Sequence, residues 1–216
     1  MARFDSAQRA RILEAAIQVF AEQGLEGAAI RMVGKAAGVN SALLYYYFEN
    51  KHTLFVEAVR LVIRGLLDSL AARRREFSDG RDRLTFLVDG LFDYYGAHPA
   101  RLRLMSVAIT LHGDLMGRVV EDIAKEGSLV PIEVLAEGIT RNQLRAAHPL
   151  QVWWSILGIC LLNMHMGEVR KHIDHSKLPM PLPDVHQVRQ EVINLLCDGL
   201  SLPRGRSKLL TKGARL

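Results

Sequence analysis

Apolar residues recur at helical spacing along almost the whole chain, and this periodicity limits the possible folds more than any other feature. A first stripe with i, i+3, i+4, i+7 spacing consists of Leu13, Ala16, Ile17 and Phe20. The same pattern continues over a longer stretch, residues 51–75. No segment rich in β-branched residues alternates with period two, as a half-buried strand would. The sequence therefore predicts an all-α protein of about nine helices.

Glycine, proline and capping residues indicate where the helices begin and end. Gly24 predicts the end of the first helix, and Pro149 suits the first turn of a later one. Residues 177–183 cannot be helical because alternate positions are proline. Asp184 and Gln187 have the spacing of a capping box, so a last helix is expected to begin there.

The composition is that of an ordinary globular protein with a basic balance. The formal net charge is +5, which favours an anionic partner without requiring one. A cluster at residues 73–75 and a tail at 204–216 concentrate basic residues. Each of these segments could contact DNA, but a solvated helix end and a frayed terminus explain them at least as well.

Cysteines and hydropathy bear on the compartment of the protein. The two cysteines, Cys160 and Cys197, are too few and too isolated for a disulfide framework, which fits a reducing environment. The N-terminus has no apolar run resembling a signal peptide. The most apolar stretch, residues 152–162, is about half the length needed to cross a bilayer. We therefore expect a cytoplasmic protein with no membrane partner.

Residues 29–48 have the layout of a helix-turn-helix. A short helix through Ala37 is followed by Gly38, which can adopt the left-handed conformation of a tight turn. Asn40 is a good N-cap for a second short helix from Ser41 to Phe48.

The second of these helices is amphipathic. Leu44 and Phe48, spaced i and i+4, would face the core. The residues expected to face outward are Ser41, Ala42, Tyr45 and Tyr46. An exposed helix start of this kind can enter the major groove of DNA. Plain structural helix pairs also have this shape, and the tyrosines could simply pack, so these residues alone leave both interpretations open.

From Leu13 to Leu54 the chain resembles the DNA-binding domain of the TetR family of bacterial transcriptional regulators. The matching residues are Ile12, Leu13, Ala16, Phe20, Gly24, 36–39, Leu44, Tyr45, Tyr47, Phe48, Lys51 and Leu54. Their spacing is correct over about forty residues. Farther along, Gly138, Ile139, Gln143, Leu144, His148 and Pro149 resemble the usual entry into the eighth helix of the family.

The resemblance implies roles for individual residues. Those implied to approach base edges are Arg31, Asn40, Ser41 and Ala42. Those implied to meet the phosphate backbone are Tyr45, Tyr46 and Lys51, while Tyr47 would bridge the recognition helix to the backbone. Lys51 stands near a helix start, where an ammonium and free backbone N–H groups could together hold a phosphate oxygen.

The sequence departs from the family pattern at three positions within this domain. Ala29 stands where a threonine commonly caps the second helix and donates to phosphate. Leu43, which is also counted among the predicted DNA-binding residues, replaces the usual Thr or Ser on the recognition helix. Gly34 replaces the usual alanine, which is expected to weaken its helix by up to about 1 kcal/mol.

The resemblance also implies the domain organisation. Residues 1–55 would form a three-helix DNA-binding domain, 56–203 a helical ligand-binding and dimerisation domain, and 204–216 a basic C-terminal tail. The last two helices would pair with those of a second subunit, and a two-fold dimer predicts an approximately palindromic operator.

Two further groups of residues are candidates for binding small ligands. A possible pocket lining comprises Met105, His112, Met116, Trp153, Met164 and Met166, although such stripes are more often ordinary core. A stripe of potential metal donors comprises His165, Glu168, His172 and His175. Histidines on solvated helices are usually just surface, so we predict no metal and no cofactor.

The sequence thus predicts a ligand-responsive DNA-binding regulator, most simply a repressor with an unidentified small-molecule effector. A ligand-independent DNA-binding or architectural protein is the alternative. A helical enzyme is disfavoured, because no nucleophile–base pair, phosphate loop or pair of acids at useful spacing is present.

Overall fold

The computed structural model describes residues 2–127 and 129–202, and it contains ten α-helices and one 3₁₀ turn. In chain order the α-helices are α1 (Ala2–Gly27), α2 (Ile30–Ala37), α3 (Ser41–Tyr47), α4 (Lys51–Ala72), α5 (Gly80–Ala97), α6 (Pro99–Leu111), α7 (Gly113–Lys125), α8 (Val130–Thr140), α9 (Pro149–Arg170) and α10 (Val185–Leu200). The 3₁₀ turn is His175–Lys177. Extended pairing in the described part of the chain is a single antiparallel bridge between Leu144 and Ser201. The all-α prediction is confirmed.

The segment after residue 112 divides into two helices at the interruption that the sequence predicts near Gly127 and Pro131, so the described residues form ten helices where about nine are predicted. α7 ends at Lys125, and Gly127 has a φ of 126°, which a helix does not accommodate. α8 then begins at Val130 with Pro131 in its first turn, where a missing N–H is harmless. Gly24 breaks α1 as its position predicted, with φ 67° and ψ 177°, but helical turns resume and continue to Gly27.

The arginine cluster at residues 73–75 corrects one sequence prediction. α4 ends at Ala72 rather than continuing to residue 75. The three arginines are exposed to solvent, and each also forms ion pairs. The three arginines pair in order with Asp93, with Glu133 and Glu137, and with Asp82. These acids lie on other helices, so the pairing depends on tertiary structure rather than on the local sequence.

The last helix begins as predicted. The Asp184 carboxylate accepts a hydrogen bond from the Gln187 N–H at 2.8 Å, and the Gln187 side chain accepts one from the Asp184 N–H at 2.8 Å. Both bonds of the capping box are therefore present, and they satisfy two N–H groups that a helix start leaves open.

The described residues form two compact units. Unit 1 takes in those of Met1–Asp68 and Tyr94–Ser128, and unit 2 those of Ser69–Asp93 and Leu129–Leu216. In unit 1, α1 packs on α2 and α6, and Phe20 meets Phe55 edge to face at 5.2 Å. In unit 2, α9 packs on α8 and α10.

Two further sequence predictions concern the domain boundary and the C-terminal tail. The predicted domain boundary after residue 55 falls inside unit 1 and stays a prediction. The predicted basic tail, residues 204–216, lies outside the described residues. Among the described helices, none is both long and apolar enough to cross a membrane.

Candidate DNA-binding surface

α2 begins without a side-chain cap. Ala29 holds the cap position in an extended conformation, with φ −93° and ψ 142°. The Met32 N–H donates to the Ala29 carbonyl at 2.9 Å, so a tight first turn satisfies one of the open donors. Ala29 therefore lies before the helix, not inside its first turn, and the departure from the family's threonine leaves the cap incomplete.

The turn after α2 is closed by two glycines with different roles. Gly38 adopts the left-handed conformation, with φ 65° and ψ 37°, as predicted. Gly34 is buried in the helix, and the Val39 N–H donates to its carbonyl at 2.9 Å. A Cβ at Gly34 would lie 2.9 Å from the Val39 carbonyl oxygen and 3.3 Å from Leu44 Cδ1. Gly34 is therefore needed for close packing of the turn, in addition to the lower helix propensity that its sequence position predicts.

α3 has the cap and the buried face that its sequence predicts. The Asn40 carboxamide oxygen accepts a hydrogen bond from the Leu43 N–H at 2.9 Å. Leu44 and Phe48 are both buried, which fixes the rotation of α3 about its axis. The Arg9 guanidinium of α1 lies 5.2 Å from the centre of the Phe48 ring, so α1 also holds the end of this segment.

The opposite face of α3 is open to solvent. Tyr45 is 55% and Tyr46 73% exposed, and Ala42 is exposed beside them. The rings of Tyr46 and Tyr47 meet edge to face at 5.1 Å, which restrains one tyrosine by the other. Three members of the predicted set are only half-buried: Ser41, Leu43 and Tyr47. Large exposed aromatic side chains cost free energy in water, so this face is suited to contact with another molecule.

Cations also stand on α2 and at the start of α4. Arg31 and Lys35 are exposed at i and i+4 on α2, and the resemblance had singled out only Arg31. Lys51 is the first residue of α4, as expected, and its ammonium donates to the Glu26 carbonyl at 3.3 Å. Two of its three N–H donors remain for another acceptor.

Asn50 was missed by the sequence analysis. Its carboxamide oxygen accepts from the Thr53 N–H at 2.9 Å, which caps α4 directly after the exposed face of α3. The signal was present, because Asn is a preferred N-cap and the apolar pattern of the long helix starts just after it.

The predicted pocket residues are divided between the two units. Those in unit 1 are Met105, His112 and Met116, and those in unit 2 are Trp153, Met164 and Met166. Met105 and Trp153 are buried, whereas Met166 is exposed. The His112 ring packs edge to face on Phe55 at 5.2 Å, as a core contact would. That these six residues line one ligand pocket stays a prediction.

Comparisons with known proteins agree with this geometry. The family model for bacterial regulatory proteins of the tetR family matches residues 12–58. The HTH-type transcriptional repressor NicS of Pseudomonas putida is 30% identical over 205 residues, which span 91% of this chain and 92% of that protein. The HTH-type transcriptional repressor SCO4008 of Streptomyces coelicolor is 36% identical over 48% of this chain and 50% of its own length.

Solved structures show the same fold at lower identity. The fatty acid degradation regulator FadR from Bacillus halodurans superposes with a TM-score of 0.69 at 21% identity, covering 88% of this chain and 94% of that one. The putative transcriptional regulator SCO4942 from Streptomyces coelicolor gives a TM-score of 0.66 at 20% identity, with 91% and 99% coverage. With its capped α3, its exposed aromatic face and a relative matched over nearly its whole length, this chain belongs to the TetR family and is a DNA-binding transcriptional regulator.

Proposed function

We propose that the chain is a ligand-responsive repressor that binds a palindromic operator in double-stranded DNA as a homodimer. The observation that carries this proposal is the exposed face of α3, whose opposite side is anchored in the core by Leu44 and Phe48. A short helix held rigidly on one side and exposed on the other can enter a major groove without rearranging. This function needs no catalysis, and we propose that it is exercised in the cytoplasm.

The residues of this face divide into those that read bases and those that hold phosphates. Arg31, Ser41 and Ala42 are proposed to approach base edges. Asn40 uses its oxygen to cap α3, so only its amide N–H groups remain, and these can donate to a base or phosphate acceptor. Tyr45, Tyr46, Tyr47 and Lys51 are proposed to hold the phosphate backbone, which gives affinity without sequence information.

The dimer is proposed to form through α9 and α10. An exposed apolar stripe on α9 consists of Trp154, Leu162, Met166 and Val169, and α10 adds Leu195. Apolar side chains at helical spacing that remain open in one chain are suited to packing against a second copy. Two copies related by a two-fold axis present two recognition helices to two half-sites.

The effector is proposed to bind in the helical region 56–203. Two proteins of similar fold were solved with acyl thioesters. FadR from Bacillus subtilis carries stearoyl-CoA, with a TM-score of 0.68 at 16% identity. AibR carries isovaleryl coenzyme A and operator DNA, with a TM-score of 0.61 at 16% identity. Acyl thioesters of different chain length are therefore the first compounds to screen for release of DNA.

Selection of bound DNA from a random pool tests the function directly. A repressor of this kind should enrich one sequence with two inverted half-sites, about one helical turn or a multiple of it apart. Enrichment of no sequence would contradict the proposal and favour an architectural role.

Two matched variants then test the residue roles on the selected site. Arg31→Ala should weaken binding by about 1–3 kcal/mol on the selected site and much less on random DNA, because a base-reading arginine carries sequence information. Lys51→Ala should weaken binding to both DNAs alike and lower the salt dependence by about one ion. The opposite pattern, with Lys51→Ala changing the preferred sequence, would reverse the assignment.

A further inference from the structure

A cleft in unit 2 is lined mainly by arginines. Its volume is about 300 Å³, and its arginines come from three places: the segment after α4, the first turn of α5 and the end of α8. The four are Arg74, Arg75, Arg83 and Arg141. Guanidinium groups repel one another, so a cleft that collects four of them must balance their charges or bind an anion.

Two of the four arginines are fully engaged by acids of the same unit. Arg75 makes two hydrogen bonds to the Asp82 carboxylate, at 2.5 and 2.9 Å. Arg74 bridges Glu133 and Glu137, with 2.5 Å to the latter. These contacts neutralise Arg74 and Arg75 and hold their side chains in place.

Arg83 lies at the buried base of the cleft with part of its guanidinium unused. The residue is fully buried. Its Nε donates to the Gln143 side-chain oxygen at 2.6 Å, and its Nη1 donates to the Val134 carbonyl at 3.1 Å and to Glu137 at 3.2 Å. Within the described residues, Nη2 makes no hydrogen bond. The Arg83 side chain is 1% exposed, and an acceptor in the cleft could receive a hydrogen bond from Nη2.

The position of Arg83 is also fixed by its surroundings. Its guanidinium lies 4.9 Å from the centre of the Phe77 ring. A Cβ at Gly138 would come within 2.8 Å of the Arg83 Cδ, so the glycine makes room for this side chain. Arg83 therefore needs little rearrangement to bind an anion, which lowers the entropy lost on binding.

Arg141 supplies an exposed positive charge without an acidic partner. Glu137 stands four residues earlier, the usual spacing for an ion pair on a helix. Its two carboxylate oxygens are instead used by Arg74 and Arg83. Arg141 makes no ion pair in the part of the chain that the structure describes. Glu76, an exposed carboxylate on the same cleft, opposes this charge.

We propose that this cleft binds the phosphate group of a small organic molecule, with Arg83 Nη2 at the base and Arg141 at the mouth. Guanidinium groups bind phosphate oxygens through paired, charge-assisted hydrogen bonds. The volume lies at the lower end of the range for ligand pockets, so it admits a phosphate with a small organic remainder. The site does not rest on the DNA-binding function, since every residue in it belongs to unit 2.

Calorimetric titration of the full-length protein with inorganic phosphate tests the site. Arg141 and Glu76 are exposed, so neither substitution removes core packing. Arg141→Gln should raise the phosphate Kd by about tenfold or more, as the loss of a charge-assisted hydrogen bond predicts. Glu76→Gln should lower the Kd, because it removes the opposing charge. Arg118→Gln, an exposed arginine of α7 in unit 1, is the matched control and should leave the Kd unchanged.

Several results would overturn the proposal. One is the absence of phosphate binding up to about 10 mM, where a millimolar site would be largely occupied. Another is a phosphate Kd that Arg141→Gln does not change. Acetate binding as tightly as phosphate would refute the assignment to phosphate. Operator affinity measured on the same variants separates the two proposals. Intact DNA binding without phosphate binding overturns only the phosphate site. Phosphate binding without DNA binding overturns only the proposed repressor function.

Discussion

Gly34→Ala tests whether helix propensity or tertiary packing governs the turn of the DNA-binding domain. Alanine is favoured over glycine inside a helix by about 0.5–1 kcal/mol, so propensity alone predicts stabilisation. The structure places the added Cβ 2.9 Å from the Val39 carbonyl oxygen, closer than real Cβ contacts come. The carbonyl belongs to the backbone of the turn, and Val39 is bonded through its own N–H to Gly34, so it cannot move away freely.

Overpacking of a buried site costs typically about 1–3 kcal/mol, which exceeds the gain from propensity. We therefore expect Gly34→Ala to destabilise the protein by about 1 kcal/mol, or about 2–4 °C in Tm for a chain of this size. Gly117→Ala is the matched control, because Gly117 lies within α7 and, apart from its own helix backbone, no atom of the described residues lies within 4 Å of its Cβ position. It should gain about 0.5–1 kcal/mol instead.

Thermal denaturation of both variants at equal protein concentration measures the difference, since dimer formation makes Tm depend on concentration. Operator affinity of Gly34→Ala, measured at a temperature where the variant is folded, should also fall because the turn sets the position of α3. An increase in Tm for Gly34→Ala equal to that for Gly117→Ala would refute the packing argument.

Three further predictions concern the cap of α2, an ion pair and the dimer. Ala29→Thr supplies the missing cap and should raise stability in thermal denaturation by about 1 kcal/mol or less, since the Met32 N–H already has an acceptor. Unchanged stability would mean that the tight first turn already satisfies the start of α2. The hydrogen bond from Arg75 lowers the pKa of Asp82 from 3.8 to about 2, so this pair stabilises the fold above pH 4 or so and loses that contribution as the pH falls toward 2. The stability gap between wild type and Asp82→Asn in urea denaturation should close over that interval, and a gap that did not change with pH would show that it does not come from the ion pair. Leu162 is 64% exposed on α9, in the proposed dimer interface. Leu162→Arg should therefore reduce the mass measured by light scattering from about twice 24.2 kDa to 24.2 kDa. A variant that remained dimeric would place the interface elsewhere.

Leu43→Thr tests the remaining departure from the family pattern. A threonine on this half-buried position of α3 should tighten operator binding by about 1 kcal/mol if its hydroxyl reaches a phosphate. Fluorescence anisotropy with labelled operator measures the change. Weaker binding confined to sites with a thymine at one position would instead show that Leu43 reads a methyl group.

The sequence by itself determined the features that depend on near neighbours in the chain. The left-handed turn at Gly38, the cap at Asn40 and the capping box at Asp184 each join residues within three or four positions of one another. The buried face of α3 follows from the spacing of Leu44 and Phe48 for the same reason. Gly38, Leu44 and Phe48 also belong to the residues that carry the family resemblance, so the DNA-binding function could be predicted along with the fold.

Only the tertiary structure decided the features that depend on how segments of the chain pack against one another. The sequence indicates only that Gly34 is a weak helix former, whereas the structure places the Val39 carbonyl oxygen 2.9 Å from the position of an added Cβ. In the sequence, Arg83 resembles any charged residue at a helix start. In the structure it is buried, and its hydrogen-bond acceptors lie 51 to 60 positions away in the chain. Its burial follows from packing, and Glu137, the acid four residues before Arg141, pairs with Arg74 and Arg83 rather than with Arg141. That competition is settled by packing, which no local pattern encodes.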